Sequence, residues 1–174
     1  MLKSFKQDTT QEIMLYNNIL LLSRNKIFYT KFNLTDTFQN RIHLIFMHIS
    51  FLFIKIKQKN RKKIYQVFFQ KVFDLMFVKI ELNMREIGYG DVGTNKNMKS
   101  LVKIFYNILL YCENYKEKNI NLKFFFFSKY LENNINLKSS NNTALIDYFD
   151  KYQAFCFDLN PDSVLKGDVK FNYK

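Results

Sequence analysis

The residues that most often do chemistry in proteins are few in this chain and are badly spaced for it. Its two histidines, His43 and His48, are five residues apart, so on a helix they point about 140° away from each other and cannot hold one metal ion together. The two cysteines, Cys112 and Cys156, stand in separate apolar segments, which favours buried, reduced thiols in a cytosolic protein. No serine, cysteine or acid lies in a signature of nucleophilic catalysis. The sequence therefore predicts a protein that is not an enzyme and that uses neither a cofactor nor a metal.

Asp74 and Glu81 are the acids whose spacing could pair them, since residues seven apart share one stripe of a helix. A solvated or ion-paired face explains this spacing better than a two-carboxylate catalytic site does. Asp74 also stands among apolar neighbours, and a buried carboxylate needs a cation or a backbone donor. If Asp74 is buried, we expect Arg41 on the preceding antiparallel helix to be its partner.

Glycine is concentrated in one place, because three of the chain's four glycines fall within the six positions from 88 to 93. Glycine supplies positive φ or close approach, and Gly88 is the expected left-handed end of a helix. We call the segment from Arg85 to Asp91 the elbow. It does not follow a strand, so it is neither a phosphate loop nor a dinucleotide-binding fingerprint. Its charged residues, Arg85, Glu86 and Asp91, either satisfy the helix end, which the pattern favours, or form a rigid polar knob presented to a partner.

Positive charge is clustered after the second long apolar segment, and the whole chain has a formal net charge of +12. The residues of this basic cluster are Lys55, Lys57, Lys59, Arg61, Lys62 and Lys63. The cluster is either a solvated hairpin tip or a contact for a phosphate-rich surface, namely ribosomal RNA or anionic lipid headgroups. No aromatic residue is interleaved with these side chains, which disfavours stacking on single-stranded nucleic acid, and we expect no DNA partner.

The elements that must position these residues are helices. Apolar periodicity and capping signals predict six of them, at about residues 10–23, 35–57, 62–84, 94–118, 122–134 and 141–155. Residues 27–32 read as a short extended connector, and the tail after Pro161 reads as irregular. One proline and four glycines are too few turn signals for a β-sandwich or barrel. We therefore predict an all-α single domain over residues 1–174, a bundle of about six helices with the elbow between the third and the fourth.

The second predicted helix is nearly continuous in apolar residues from 42 to 54. A helix that is apolar around its whole girth is either the centre of a bundle or partly a contact surface. Its polar interruptions, Arg41, His48 and Lys55, are seven residues apart and share one stripe. At about 20 Å, this apolar stretch is too short to cross a bilayer core of about 30 Å.

Five sequence segments occur in an order that resembles a known family. The first two are Tyr29 to Thr37 and Arg41 to Leu52. The others are Phe73-Asp74-Leu75-Met76-Phe77, then Met84-Arg85-Glu86-Ile87-Gly88-Tyr89-Gly90-Asp91, and then Phe105-Tyr106. This order resembles the ubiquinol–cytochrome c chaperone family, the cytochrome b assembly factors of mitochondria and alphaproteobacteria. The resemblance covers about residues 16–115, with a weaker helical tail over 120–174. It departs from the usual pattern at Met84, where members have leucine, at Tyr89, where they have valine, and at Asn107-Ile108, where they have Gly-Arg.

The resemblance implies an all-helical chaperone that holds newly made cytochrome b during assembly of ubiquinol–cytochrome c reductase, respiratory complex III. It implies a cytoplasmic protein peripheral to the inner membrane, and it adds a second small assembly factor and the ribosome as partners. We expect the elbow and any partner contact there to depend on Arg85, Glu86, Gly88, Gly90 and Asp91. We expect support for the elbow from Phe73, Asp74, Phe77, Phe105 and Tyr106.

Two other functions are compatible with the sequence. The basic cluster and the net charge favour a basic helical module that binds ribosomal or other structured RNA. A peripheral membrane enzyme that handles quinone or haem is the third and weakest hypothesis. The client-binding residues are expected among the apolar side chains that remain exposed after the bundle closes.

Overall fold

The computed structural model describes residues 10–59, 63–133 and 141–173 of the chain. These residues form a single helical bundle, which confirms the predicted all-α class. Its helices are α1 (Gln11–Ser23), α2 (Ile27–Thr30), α3 (Phe38–Lys59), α4 (Lys63–Glu86), α5 (Asp91–Glu113), α6 (Ile120–Tyr130), α7 (Asn141–Asp158) and α8 (Pro161–Leu165). Within the described ranges there is no strand, and the one β-bridge joins Leu34 to Asn133. None of the helices found there is long and apolar enough to span a bilayer.

Helix α3 is the centre of the bundle and packs against α1, α4, α5 and α7. Every residue from 42 to 52 is buried, because neighbouring helices cover this helix on all sides. A helix that is apolar around its girth gains most by burying all of its faces. Of the two roles predicted for this segment, the structure therefore supports the centre of the bundle and not an exposed contact surface.

The polar stripe of α3 is largely buried against α7. His48 lies with Nδ1 2.6 Å from the Leu44 carbonyl oxygen and Nε2 2.8 Å from the Tyr148 hydroxyl oxygen. The Tyr152 hydroxyl donates to the His48 carbonyl oxygen at 3.2 Å. Burial lowers the pKa of His48 to about 4, because the charged imidazolium would lose its water without gaining a negative partner. His48 is therefore a neutral polar link between α3 and α7.

Asp74 is not buried, and the ion pair with Arg41 that was expected for a buried Asp74 does not form. Arg41 binds Asp36 instead, with Nε 2.7 Å and a terminal nitrogen 2.8 Å from the two carboxylate oxygens. Asp74 is exposed on α4 and accepts a hydrogen bond from the Gln70 side chain at 2.8 Å. The physical reason is locality: Asp36 precedes the start of α3 and reaches the guanidinium without crossing the bundle.

Several helix boundaries differ from the sequence prediction by a few residues, and α5 ends at Glu113 instead of residue 118. Three other differences have a clear physical reason. Helix α5 begins at Asp91 instead of residue 94, which places a carboxylate in the first turn, where the helix dipole favours negative charge. The expected extended connector contains the short helix α2. The tail that was expected to be irregular begins with α8, because the Asn160 side chain accepts a hydrogen bond from the Asp162 amide at 3.0 Å and Pro161 occupies the first helical position.

Candidate functional site

The elbow joins α4 to α5 through a glycine-dependent helix stop. Gly88 has a φ of +98°, the left-handed region that residues with a Cβ avoid. The Tyr89 amide donates to the Met84 carbonyl at 3.0 Å, and the Gly88 amide donates to the Arg85 carbonyl at 3.1 Å. These two bonds are the Schellman pattern, which satisfies carbonyl groups left open at a helix end. The left-handed helix end predicted at Gly88 is therefore confirmed.

Arg85 ties the two helices together across the elbow. Its guanidinium bonds to the Glu81 carboxylate at 2.9 Å, one turn earlier, and to the Asp91 carboxylate at the start of α5. Asp91 first, and Glu81 second, raise the pKa of Arg85, because each carboxylate favours the charged guanidinium. Gly90 is the N-cap of α5 and has an ordinary φ of −70°. Glu86 points to solvent. The charged residues thus bracket the bend, and all of them remain accessible.

Aromatic rings fix α5 against α4 and α3 beyond the elbow. The Phe105 ring centroid lies 5.4 Å from that of Phe73 and 6.0 Å from that of Phe77. Phe46 of α3 contacts the same Phe105 ring at 5.3 Å. Tyr106 is half-exposed and lies 6.0 Å from Phe73. These four α4 and α5 rings form one cluster, whereas Asp74, expected to act with them, lies on the outer face about three turns before the elbow.

Three apolar side chains of the elbow region are exposed, and the sequence prediction did not single them out. Ile87 is 56%, Tyr89 42% and Val92 85% exposed. Their exposure could have been predicted from the sequence, because large apolar side chains inside a glycine-rich turn cannot reach the hydrophobic core. The elbow therefore presents an apolar surface with a charged border and not only a polar knob.

The structure divides the basic cluster. Lys55 is completely buried, with Nζ 5.5 Å from the Phe157 ring centroid, so its assignment to an anionic-surface contact is wrong. Its long stem fits the apolar interior between α3 and α7. Lys57 is exposed, and its Nζ forms an ion pair with Glu113 of α5 at 2.9 Å. Lys63 is exposed at the start of α4. Arg61 and Lys62 lie outside the described residues, as does the side chain of Lys59.

An apolar groove lies at the end of the bundle opposite the elbow, where the end of α3, the start of α4 and the end of α5 meet. Its volume is about 520 Å³. The apolar lining residues are Phe53, Ile54, Ile56, Tyr65, Phe69 and Leu109, and Lys57, Gln66 and Glu113 complete the lining. The ion pair between Lys57 and Glu113 therefore lies beside an apolar trough. Such a groove suits the apolar face of a helix, because side chains on one stripe can enter it together.

The comparisons with known proteins agree with this fold. The sequence profile named ubiquinol–cytochrome C chaperone matches residues 30–171 of the chain. The chain belongs to the ubiquinol–cytochrome c chaperone family. The crystal structure of the Cbp3 homolog from Brucella abortus superposes with a TM-score of 0.79 at 21% sequence identity, covering 94% of this chain and 89% of that chain. At that identity the similarity is evidence for the fold. No curated protein matches the sequence.

The remaining groups that could do chemistry are used for packing in this family member. His43 is buried, with Nδ1 2.6 Å from the Tyr130 carbonyl oxygen, and desolvation lowers its pKa. Cys112 and Cys156 are both buried and free, as expected, and burial raises the pKa of each thiol. In the part of the chain that the structure describes, no three His, Cys, Asp or Glu side chains are grouped so that they could hold a metal ion.

Proposed function

We propose that this protein is a non-enzymatic assembly chaperone of ubiquinol–cytochrome c reductase and that its client is newly made cytochrome b. Membership of the chaperone family supports the class of function. The structural observation that carries the client proposal is the apolar groove between α3, α4 and α5. A membrane protein that has not yet been inserted or assembled exposes apolar helices, and the groove offers the matching surface.

The groove has the chemistry that such a client needs. Phe53 and Phe69 pack against each other in its wall, with ring centroids 4.2 Å apart and the ring planes tilted by 54°. Apolar side chains of a client helix would bury against these rings, a gain of about 25 cal/mol for each Å² removed from water. The ion pair of Lys57 with Glu113 lies beside the apolar lining and offers charges to polar residues at the end of a client helix. A groove of this kind holds a client without catalysing any reaction.

The elbow provides a second surface, separate from the groove. Gln66 in the groove and Glu86, where α4 ends in the elbow, are 20 residues apart along the helix, which is about 30 Å. We assign the exposed Ile87 and Tyr89, with Arg85 and Asp91 at their border, to a protein partner such as a second small assembly factor. The protein would act from the cytoplasmic side, peripheral to the inner membrane, and the ribosome remains a further partner in this proposal.

Deletion and complementation test the proposed function. Deleting the gene in its native host is expected to lower haem-loaded cytochrome b, measured from the difference spectrum of reduced membranes, and the wild-type gene is expected to restore it. A deletion strain with a normal cytochrome b spectrum and normal reductase activity would refute the proposal.

Position-specific cross-linking tests the groove. Gln66 lines the groove, whereas Gln70 lies one turn further along α4, outside it, so the two form a matched pair. A photo-reactive phenylalanine analogue in place of Gln66 is expected to cross-link to newly made cytochrome b, detected with an antibody, and one in place of Gln70 is not. Equal cross-linking from both positions, or none from either, would remove the groove as the client site.

A further inference from the structure

The outer face of α5 carries a regular pattern of exposed side chains. Exposed residues recur at intervals of four and three along it: Val92, Lys96, Lys99, Lys103, Tyr106 and Leu110. This is the helical period, so the six side chains form one stripe, about 27 Å long at 1.5 Å per residue. We call it the α5 stripe. The opposite face of the same helix packs into the core through Leu101, Phe105 and Ile108.

The α5 stripe is strongly one-sided in charge. Between the acids at its two ends, Asp91 and Glu113, α5 has three lysines and no acid. Ion pairs among the described residues include none of these three lysines. An ordinary solvated face has both signs of charge interspersed, with partners one turn away. The stripe instead presents positive charge alone.

Large apolar side chains flank these lysines along the stripe, with Val92 before them and Tyr106 and Leu110 after them. Val92 is 85%, Tyr106 51% and Leu110 62% exposed. A surface that binds only phosphate, such as a site for duplex RNA, gains nothing from exposed Val and Leu. A bilayer surface uses both kinds of group, since lysine ammonium groups reach the lipid phosphates while apolar tips enter the boundary of the acyl chains.

We propose that the α5 stripe is the face on which this protein docks to an anionic phospholipid bilayer, with α5 lying flat in the headgroup region. The proposal rests on the proposed function only in placing the protein at the inner membrane. It moves the anionic-surface contact away from the basic cluster, where Lys55 is buried and Lys57 is paired with Glu113. Charge complementarity supports it further, because the chain carries a net +12 and anionic lipid attracts such a protein from solution.

Tryptophan fluorescence reports the docking directly, because the natural chain contains no Trp. The variants Val92→Trp and Leu110→Trp place a single indole on the stripe, and Leu21→Trp places one on α1 at a position that is 71% exposed. With vesicles of phosphatidylcholine and phosphatidylglycerol, we expect a blue shift and quenching by brominated lipid for the first two only. Phosphatidylcholine vesicles alone are expected to give neither. The same response from Leu21→Trp, or no response from either stripe variant, would overturn the proposal.

Lysine variants test whether vesicle binding depends on the positive charge of the α5 stripe. Each lysine near an anionic surface strengthens binding about 5-fold, so Lys96→Ala, Lys99→Ala and Lys103→Ala together are expected to weaken vesicle binding about 100-fold. Alanine is the best helix former, so the triple variant keeps α5. The control replaces three exposed lysines elsewhere, Lys26, Lys166 and Lys170, and has the same net charge. Equal losses of vesicle binding in both triple variants would show that only the net charge matters. That result would overturn the proposed docking face.

The test also separates lipid from other anionic partners and from the chaperone proposal. If the wild-type stripe bound structured RNA or an acidic protein while anionic vesicles stayed unbound, the lipid proposal would be wrong. Vesicle binding is measured on purified protein without cytochrome b. A negative result therefore removes the docking face and leaves the client proposal standing, whereas a failed complementation test does the reverse.

Discussion

Replacing Gly88 by alanine should destabilise the protein, whereas the same change at Gly90 should not. A Cβ added at either position meets no atom within 4 Å, so packing is equal at the two sites. The difference is the backbone, because φ is +98° at Gly88 and −70° at Gly90. A left-handed conformation costs a residue with a Cβ about 1–2 kcal/mol. At Gly90 the weaker capping by alanine is offset by the smaller entropy of the unfolded chain, so the net change is near zero.

The assay is thermal and urea unfolding of the two purified variants beside the wild type. For a domain of 174 residues, the loss at Gly88 should lower Tm by about 4 °C, and the Gly90 variant should melt within about 1 °C of the wild type. Gly88→Asn is an internal check, because asparagine tolerates the left-handed region and should recover part of the loss. Equal melting of the two alanine variants would show that the left-handed stop does not hold the elbow in solution.

Three further predictions concern the core. The free energy of unfolding should fall by about 2 kcal/mol between pH 7 and pH 5, because the unfolded chain protonates His48 near 6.5 and the folded chain only near 4, so unfolding takes up a proton in that window. Urea unfolding at both pH values measures this. A His48→Gln variant should lose the share of the slope that comes from His48 and keep the share of His43, whose pKa burial also lowers; an unchanged slope would contradict the assignment. Gly167→Ala should cost at least about 2 kcal/mol, because φ is +73° and the new Cβ would lie 2.8 Å from the Met14 Cβ. A Gly167→Ala variant that melts at the wild-type Tm would contradict the close packing of Gly167 against α1. Cys112 and Cys156 should resist a thiol reagent at pH 8 in the folded protein and react in urea, because burial raises the pKa of both thiols; rapid labelling of the native protein would contradict this.

The helices could be predicted because their signals are local. The apolar girth of α3 is visible in the sequence, and a segment of that kind has to be covered on all sides. The start of α5 was predicted three residues too late because Gly93 is a poor helix former, whereas the carboxylate of Asp91 favours the first helical turn before it. Local signals of this kind determine where helices lie, and small errors occur where glycine and capping signals compete.

The positions of individual charged side chains could not be predicted, because they depend on which helices become neighbours. Lys55 looked like its exposed neighbours in the sequence, yet α7 covers it, since its position on the α3 stripe faces that helix. In a plausible bundle, Arg41 could reach either Asp36 or Asp74. It binds Asp36, which is nearer along the chain. The α5 stripe also needed the structure, because only the packing of the opposite face shows which of its residues remain exposed.

The distance between the groove and the elbow makes their roles separable. Both depend on how α5 lies against α4, but the rings of Phe73, Phe77 and Phe105 hold the two helices together between the groove and the elbow. A local change at Gly88 therefore loosens the bend while the ring cluster continues to fix the walls of the groove. Since the Gly88 variant should remain folded at growth temperature, a loss of cytochrome b in cells that carry it would point to a partner at the elbow. Unimpaired assembly would mean that the elbow serves the fold alone.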